Sequence, residues 1–260
     1  MAEGLRARSE WVEYNSRGAT IRAYLGLPAG AGPWPGIVMI HENPGVTDHR
    51  MDVTRRLAGA GYVTITPDLF SRIGGKPPSG ASDVERRQKI DIALPDDQVF
   101  DDLMNGYKFL KNRDGTIQDR IALYGICMGG GKGFYTICRT DVFRCFVNFY
   151  GPIIVKAEVT PDSKERSYLP GAHTASCPMQ YHVGDQDVVC PPDHVVQMRD
   201  ELRRHEKQAE FFVYPGAEHA FHDDSARRYA PECAQLAWDR ALVFFHAHLN
   251  DYFRLDWLPS

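Results

Sequence analysis

The sequence predicts an α/β protein in which a mainly parallel central sheet is flanked by helices on both faces. Apolar, β-rich segments alternate with segments of helical spacing, which is the pattern of parallel strands joined by helices. Several of the apolar segments, such as 36–40, are continuous, as in strands buried on both faces. We expect one domain of this kind over residues 1–260.

In the first half of the chain, apolar runs that end at turn residues predict strands, and apolar residues at helical spacing predict helices. The strands are expected over 12–15 and 21–27, which form an antiparallel hairpin at the sheet edge, and over 36–40 and 62–66. The helices are expected over 50–60, 84–93 and 96–111. Residues 71–82 are dense in glycine and proline and predict an irregular loop above a pocket.

The second half continues the alternation of strands and helices. The strands are expected over 121–124, 145–150, 178–183 and 210–214. The helices are expected over 130–138, 194–204 and 225–248. Residues 155–176 show no clear period and are a second candidate for the rim of a pocket.

Charge and composition exclude several classes of protein. The 260 residues carry 30 basic and 34 acidic side chains, with no long run of like charge, so a nucleic-acid partner is not expected. No apolar run reaches the roughly 18 residues of a membrane span, and residues 1–10 do not form a signal peptide. None of the six cysteines has C-x-x-C spacing. We expect a cytoplasmic monomer or small homo-oligomer with reduced thiols, no membrane contact, no metal and no cofactor.

The strongest chemical signal is Gly125-Ile-Cys127-Met-Gly129, between a predicted strand and a predicted helix. A nucleophile on such a sharp turn needs small residues two positions away on either side, because larger side chains would collide there. The N-terminus of the following helix favours a thiolate and an oxyanion. Cys127 is therefore the candidate nucleophile.

After Cys127, an acid and then a base occur in loops that follow predicted strands. Asp187 comes after the strand that ends at 183, and His219 comes after the strand that ends at 214. Asp185 is the competing acid, but the pattern Gly-x-x-Asp favours Asp187, and Asp185 is better suited to cap the turn. The spacing of His219 and His222, with Asp223, leaves a metal site as a weaker alternative.

Several segments together resemble the dienelactone hydrolase family, over about residues 20–249. They are His41-Glu-Asn-Pro-Gly45, 55–58, 60–63, 67–69, Gly125–Gly129, 184–187 and 217–221. The resemblance implies an α/β-hydrolase fold, a Cys127–Asp187–His219 triad, and a role for Glu42 in taking the thiol proton. A carboxylate near a thiol also opposes its ionisation, which keeps a resting cysteine less reactive.

The resemblance implies a hydrolase of the carboxylic-ester class that cleaves small ester or lactone substrates through a thioester. We expect the oxyanion to bind the backbone N–H groups of Met128 and Asn43. The side chains expected to contact substrate are Arg86, Arg87, Tyr150 and Phe221. Two alternatives are an acyltransferase that uses the same residues and a thiol sensor or small-molecule binding protein that keeps only the reactive cysteine.

The sequence departs from the family at Asp223. Family members carry an arginine four residues after the histidine, where it binds the substrate carboxylate, but Asp223 occupies that position here. An acid there is expected to repel an anionic substrate. The dienelactone itself is therefore a doubtful substrate.

Overall fold

The structure is a computed structural model that describes residues 7–155 and 166–250. Its strands are β1 (Arg8–Ser16), β2 (Ala19–Leu27), β3 (Trp34–Ile40), β4 (Val63–Pro67), β5 (Thr116–Ile126), β6 (Phe146–Phe149), β7 (Ile154–Val155), β8 (Arg166–Ser167), β9 (Met179–Gly184) and β10 (Ala209–Tyr214). Its α-helices are α1 (Asp48–Gly59), α2 (Asp83–Ala93), α3 (Asp96–Lys111), α4 (Met128–Ile137), α5 (Pro192–Arg204) and α6 (Pro231–Leu249).

Eight of the strands form one sheet in the order β1-β2-β4-β3-β5-β6-β9-β10. β2 pairs antiparallel with β1 and β4, and every later neighbour is parallel. The carboxyl ends of β3, β5, β6, β9 and β10 therefore meet at one edge, where loops from different parts of the chain converge. The predicted α/β-hydrolase fold with its antiparallel edge is confirmed.

Both faces of the sheet are covered, which explains the continuous apolar strands. Along β3, Ile37 and Met39 pack in a cluster with residues of α1 and α6, whereas Val38 and Ile40 pack in another cluster with residues of α2 to α5. Successive side chains of a strand point to opposite faces, so a strand between two helical layers has no polar face.

The start of the last helix differs from the expectation. The sequence predicts a helix from 225, but α6 begins at Pro231. Proline fits the first turn of a helix because it lacks the N–H group, and it pushes the preceding residue away from helical angles. Ala230 accordingly has extended angles (φ −118°, ψ 91°), and its N–H donates to the Phe221 carbonyl at 3.0 Å.

Parts of the two loops expected at a pocket rim form regular secondary structure. A 3₁₀ turn covers Leu69–Ile73, and another covers Leu169–Thr174. β7 and β8 form a separate two-stranded ladder in the second loop, of which residues 156–165 lie outside the described part. Among the helices of the described residues, none combines the length and apolar character needed to cross a bilayer.

Candidate active site

Cys127 occupies the turn between β5 and α4. Its backbone angles (φ 49°, ψ −121°) are unusual for a residue with a side chain. A Cβ on Gly125 would lie 2.4 Å from the Gly129 carbonyl oxygen, and a Cβ on Gly129 would lie 2.3 Å from the Ile40 carbonyl oxygen. Both glycines are therefore required by close backbone contact, as expected for a nucleophile on a strand-to-helix turn.

Cys127, His219 and Asp187 form one hydrogen-bonded line across three strand-end loops. His219 Nε2 lies 3.1 Å from Cys127 Sγ, and His219 Nδ1 lies 2.8 Å from Asp187 Oδ2. Cys127 is half-buried, while His219 and Asp187 are buried. This is the geometry of a nucleophile, a base and a group that orients the base.

The carboxylate of Asp187 is fixed by the backbone of its own loop. Its Oδ1 accepts hydrogen bonds from the N–H groups of Val189 and Cys190, each at 2.8 Å. Asp185, the competing acid, instead accepts a hydrogen bond from the Gly216 N–H at 2.7 Å. The loop thus presents Asp187, not Asp185, to His219.

The charges of the site raise the pKa of His219 well above its usual range. Burial opposes the imidazolium, but the charge of Cys127 and the hydrogen bond from His219 to Asp187 outweigh that effect. The raised pKa means that His219 holds a proton more strongly than a free imidazole does.

Of the two expected oxyanion donors, one directly follows Cys127 and the other lies in the loop after β3. Met128 is the first residue of α4, so its N–H is at the positive end of the helix. Asn43 lies in the loop after β3, whose backbone packs on the cysteine turn, because the His41 carbonyl oxygen is 2.7 Å from a Cβ placed on Gly129. Within residues 7–155 and 166–250, neither N–H donates a hydrogen bond that would compete with an oxyanion.

Glu42 is buried and forms an ion pair with an arginine that the sequence did not single out. Arg50, in the first turn of α1, donates from Nε (3.0 Å) and Nη2 (2.8 Å) to Glu42 Oε1. Arg50 is fully buried, and Glu42 is 5% exposed. Glu42 is therefore buried and ion-paired and is not a solvated loop residue.

Asp223 lies on the other side of Arg50. Its Oδ2 is 3.5 Å from Arg50 Nη2, and its Oδ1 is 3.7 Å from His49 Nδ1. Hydrogen bonds from Ser225 and the charges of His49 and Arg50 lower its pKa, although burial opposes this shift. His49 Nδ1 is also 2.5 Å from Asp224 Oδ1. The expected repulsion by Asp223 is thus partly offset, because Asp223 belongs to an ion-paired cluster.

Several buried polar atoms around Arg50 have no hydrogen-bond partner among the described residues. They are Arg50 Nη1, Tyr124 OH, Tyr150 OH, His222 Nδ1 and His49 Nε2. Buried polar groups are normally paired with protein or water, so this region retains hydrogen-bonding capacity.

The four side chains expected to contact substrate occupy different environments. Tyr150 is fully buried, but its ring centre is 5.0 Å from that of His219. Phe221 is also fully buried and packs on Phe149, Tyr150 and Tyr214, so it belongs to the core and not to a pocket wall. Arg86 is exposed and Arg87 half-buried on α2, where their contact with substrate stays a prediction.

Among the described residues, His222 belongs to neither group of side chains that could hold a metal ion. Its ring packs on Phe149 and Trp238, and burial holds its pKa well below the usual range. Both ring nitrogens of His219 are already engaged. Among the described residues, the possible ligand groups are Asp187, Cys190 and His219, and His49, Asp223 and Asp224. The first group contains two residues of the hydrogen-bonded line.

Sequence patterns did not single out Arg50 and Cys190. Arg50 falls in the first turn of a polar helix, where a charged residue normally faces solvent. Cys190 is buried in the Asp187 loop, and its Sγ donates to the Tyr150 carbonyl at 3.2 Å. For Arg50, the only signal in the sequence was the length of the 41–47 loop that precedes its helix. For Cys190, it was the short sequence distance to Asp187. Neither signal is specific.

Comparisons with known proteins agree with the fold. The sequence pattern of the dienelactone hydrolase family matches residues 21–249. The chain is 30% identical to the "Probable 2-oxo-3-(5-oxofuran-2-ylidene)propanoate lactonase" of Bradyrhizobium sp, covering 92% of this chain and 94% of that protein. It is also 30% identical to the "Putative carboxymethylenebutenolidase" of Yersinia pestis, covering 90% and 86%. The crystal structure of a "Putative Dienelactone Hydrolase" from Klebsiella pneumoniae superposes with a TM-score of 0.83 at 30% identity, covering 92% of this chain and 98% of that one.

Proposed function

The chain belongs to the dienelactone hydrolase family and is a hydrolase of ester or lactone bonds, and we propose that it acts through Cys127, His219 and Asp187. The observation that carries this proposal is the hydrogen-bonded line from Cys127 Sγ through His219 to Asp187, with contacts of 3.1 and 2.8 Å. Such a line supplies a nucleophile and a general base together.

In the first half of the reaction, the Cys127 thiolate attacks the carbonyl carbon of the substrate. The developing oxyanion accepts hydrogen bonds from the Met128 and Asn43 N–H groups. When the C–O bond breaks, His219 gives its proton to the leaving oxygen, and a thioester remains on Cys127. In a lactone, the leaving oxygen stays attached to the acyl group.

In the second half, water replaces the leaving group. His219 takes a proton from the water, whose oxygen attacks the thioester carbonyl carbon. The C–S bond breaks, the acid product leaves, and the Cys127 thiolate takes back the thiol proton that Glu42 receives at the start of the reaction. Asp187 stabilises the imidazolium in both halves and holds the ring through Nδ1.

Glu42 assists the first step as a nearby carboxylate that receives the thiol proton when substrate arrives. Its burial and its ion pair with Arg50 support this role because they keep the carboxylate in the site. The charge of Arg50 is shared between Glu42 and Asp223, so little of it remains to bind a substrate carboxylate. We therefore expect neutral lactones, enol esters and aryl esters to be preferred.

The test is steady-state hydrolysis of p-nitrophenyl acetate, a neutral lactone and a dienelactone carboxylate. Cys127→Ala should abolish turnover of all three, whereas Cys138→Ala, which removes a thiol at the end of α4, should leave it unchanged. The wild type should prefer the neutral compounds. If the wild type fails to turn over any of them while Cys127 alkylates readily, the thiol-sensor alternative replaces the hydrolase mechanism.

Product analysis in the presence of an alcohol or an amine separates hydrolysis from acyl transfer. The proposed mechanism predicts the free acid as the main product. A dominant ester or amide product would mean that an acceptor other than water captures the thioester.

A further inference from the structure

Arg50 is unusual because it is a fully buried cation between two carboxylates from different loops. Two of its nitrogens contact Glu42, which follows β3, and Nη2 also lies 3.5 Å from Asp223, four residues after His219. The ionised form of Arg50 is strongly favoured despite burial, and Glu42 contributes most to that attraction. The guanidinium therefore joins the loop of Glu42 to the loop of the base.

The contacts of Arg50 with Glu42 and with Asp223 differ in strength and in solvent exposure. The Glu42 contact uses two nitrogens at 3.0 and 2.8 Å, and both partners are buried. Asp223 makes one longer contact, and its side chain is 14% exposed. Charge-assisted contacts through two nitrogens are stronger and more directional than a single long contact. Arg50 thus holds Glu42 firmly and Asp223 weakly.

We propose that Arg50 is a positioning residue that holds Glu42 beside Cys127, and that Asp223 competes with Glu42 for the same guanidinium. The inference rests on the proposed function, because it concerns the carboxylate that receives the thiol proton. A guanidinium shared with Asp223 attracts Glu42 less strongly than one that pairs with Glu42 alone. Asp223 therefore leaves the Glu42 carboxylate available to the thiol proton.

A purely structural ion pair would leave a different signature. Loss of either partner would then destabilise the fold without a specific effect on turnover. If Arg50 acts through Glu42, its removal leaves a buried, unpaired carboxylate that takes up a proton or leaves its place. The catalytic effect of removing Arg50 should therefore vanish once Glu42 has been neutralised.

A double-mutant cycle with Arg50→Met, Glu42→Gln and the combined variant tests this. With p-nitrophenyl acetate, each single substitution should lower kcat about 10- to 100-fold, with a smaller change in KM. The combined variant should be no slower than Glu42→Gln alone. Wild-type kcat in Arg50→Met, or losses that multiply in the combined variant, would overturn the proposal.

Asp223→Asn tests the competition. It should lower kcat about threefold when Glu42 is present and have no effect in the Glu42→Gln background. An equal effect in both backgrounds would mean that Asp223 does not act through Arg50 and Glu42, which contradicts the competition.

The controls separate the possible failures. Arg55→Met removes a half-exposed arginine of the same helix that pairs with Asp52, and it should keep wild-type kcat. If Arg50→Met does not fold, Arg50→Lys replaces it in the cycle, since lysine keeps the charge but loses the two-nitrogen contact. If Cys127→Ala still turns over substrate, the proposed function itself is contradicted. If Cys127→Ala is inactive but the kcat losses of Arg50→Met and Glu42→Gln multiply in the combined variant, only the role of Arg50 is contradicted.

Discussion

Two neighbouring polar regions of this molecule differ in how fully their hydrogen bonds are satisfied. In the hydrogen-bonded line of Cys127, His219 and Asp187, both oxygens of Asp187 and both ring nitrogens of His219 have partners. In the Arg50 cluster, defined as Glu42, Arg50, Asp223, His49 and the hydroxyl of Tyr124, three buried polar atoms lack a partner among the described residues.

The difference indicates that one region is held in a single arrangement, whereas the other can rearrange its hydrogen bonds. A fully paired line holds the reacting atoms in one arrangement, which nucleophilic catalysis requires. A cluster with unused donors and acceptors can exchange partners or admit water at a small change in free energy. The following predictions test that contrast, beginning with the largest effect.

Asp187→Asn should disrupt the hydrogen-bonded line of Cys127, His219 and Asp187. The amide cannot stabilise an imidazolium and can present its NH₂ group to His219, so we expect kcat to fall about 1,000- to 10,000-fold. Ester hydrolysis measures the effect. Asp185→Asn is the matched control in the same loop and should stay close to wild type; a comparable loss there would assign the acid to the wrong residue.

Gly129→Ala should break the turn that carries Cys127. Its Cβ would lie 2.3 Å from the Ile40 carbonyl oxygen, and backbone cannot move aside easily, so the free energy of unfolding should fall by at least about 3 kcal/mol. In Gly59→Ala, at the end of α1, the Cβ would meet nothing within 4 Å, and stability should rise by about 0.5 kcal/mol. Urea denaturation measures both; equal shifts would show that close contact is not what selects glycine at 129.

Low pH should destabilise the protein through His41, next to Glu42. Burial lowers the pKa of His41 to about 4, whereas the unfolded chain has a value of about 6.5. Between these values the unfolded state binds more protons, so the free energy of unfolding falls as pH decreases, by about 3 kcal/mol near pH 4.

His41→Gln should reduce this slope in urea denaturation between pH 4.5 and 7.5. Part of the slope should remain, because burial lowers the pKa of His182 to about 3. An unchanged slope in His41→Gln would mean that His41 does not stay neutral in the folded protein.

Tyr124→Phe, in the Arg50 cluster, should have the smallest effect on the free energy of unfolding. Its hydroxyl has no partner among the described residues, so the free energy of unfolding should change by less than about 0.5 kcal/mol. Tyr14→Phe is the control, because the Tyr14 hydroxyl donates to the Asp102 carbonyl at 2.7 Å, and its loss should cost about 1 kcal/mol. A larger loss in Tyr124→Phe would indicate a water that holds the hydroxyl.

Much of the fold and the hydrogen-bonded line of Cys127, His219 and Asp187 could be predicted from the sequence because their signals are local. Continuous apolar runs predicted the strands, and the glycines around Cys127 predicted the sharp turn. Asp187 and His219 were candidates because each follows a strand of a parallel sheet, and such strand ends meet at one edge. The predicted start of α6 at residue 225 was wrong. The helical spacing of the apolar residues was given more weight than Pro231, which sets the first turn of the helix.

The sequence by itself determined the order of elements and the residue types that the chemistry needs. Only the tertiary structure decided that Arg50 is buried, that it joins Glu42 to Asp223, and that Phe221 lies in the core. Burial of a charge depends on which distant side chains meet it, and no local period or spacing encodes that meeting. The residues of the hydrogen-bonded line could therefore be predicted from their own loops, whereas the ion pairs of Arg50 required the folded chain.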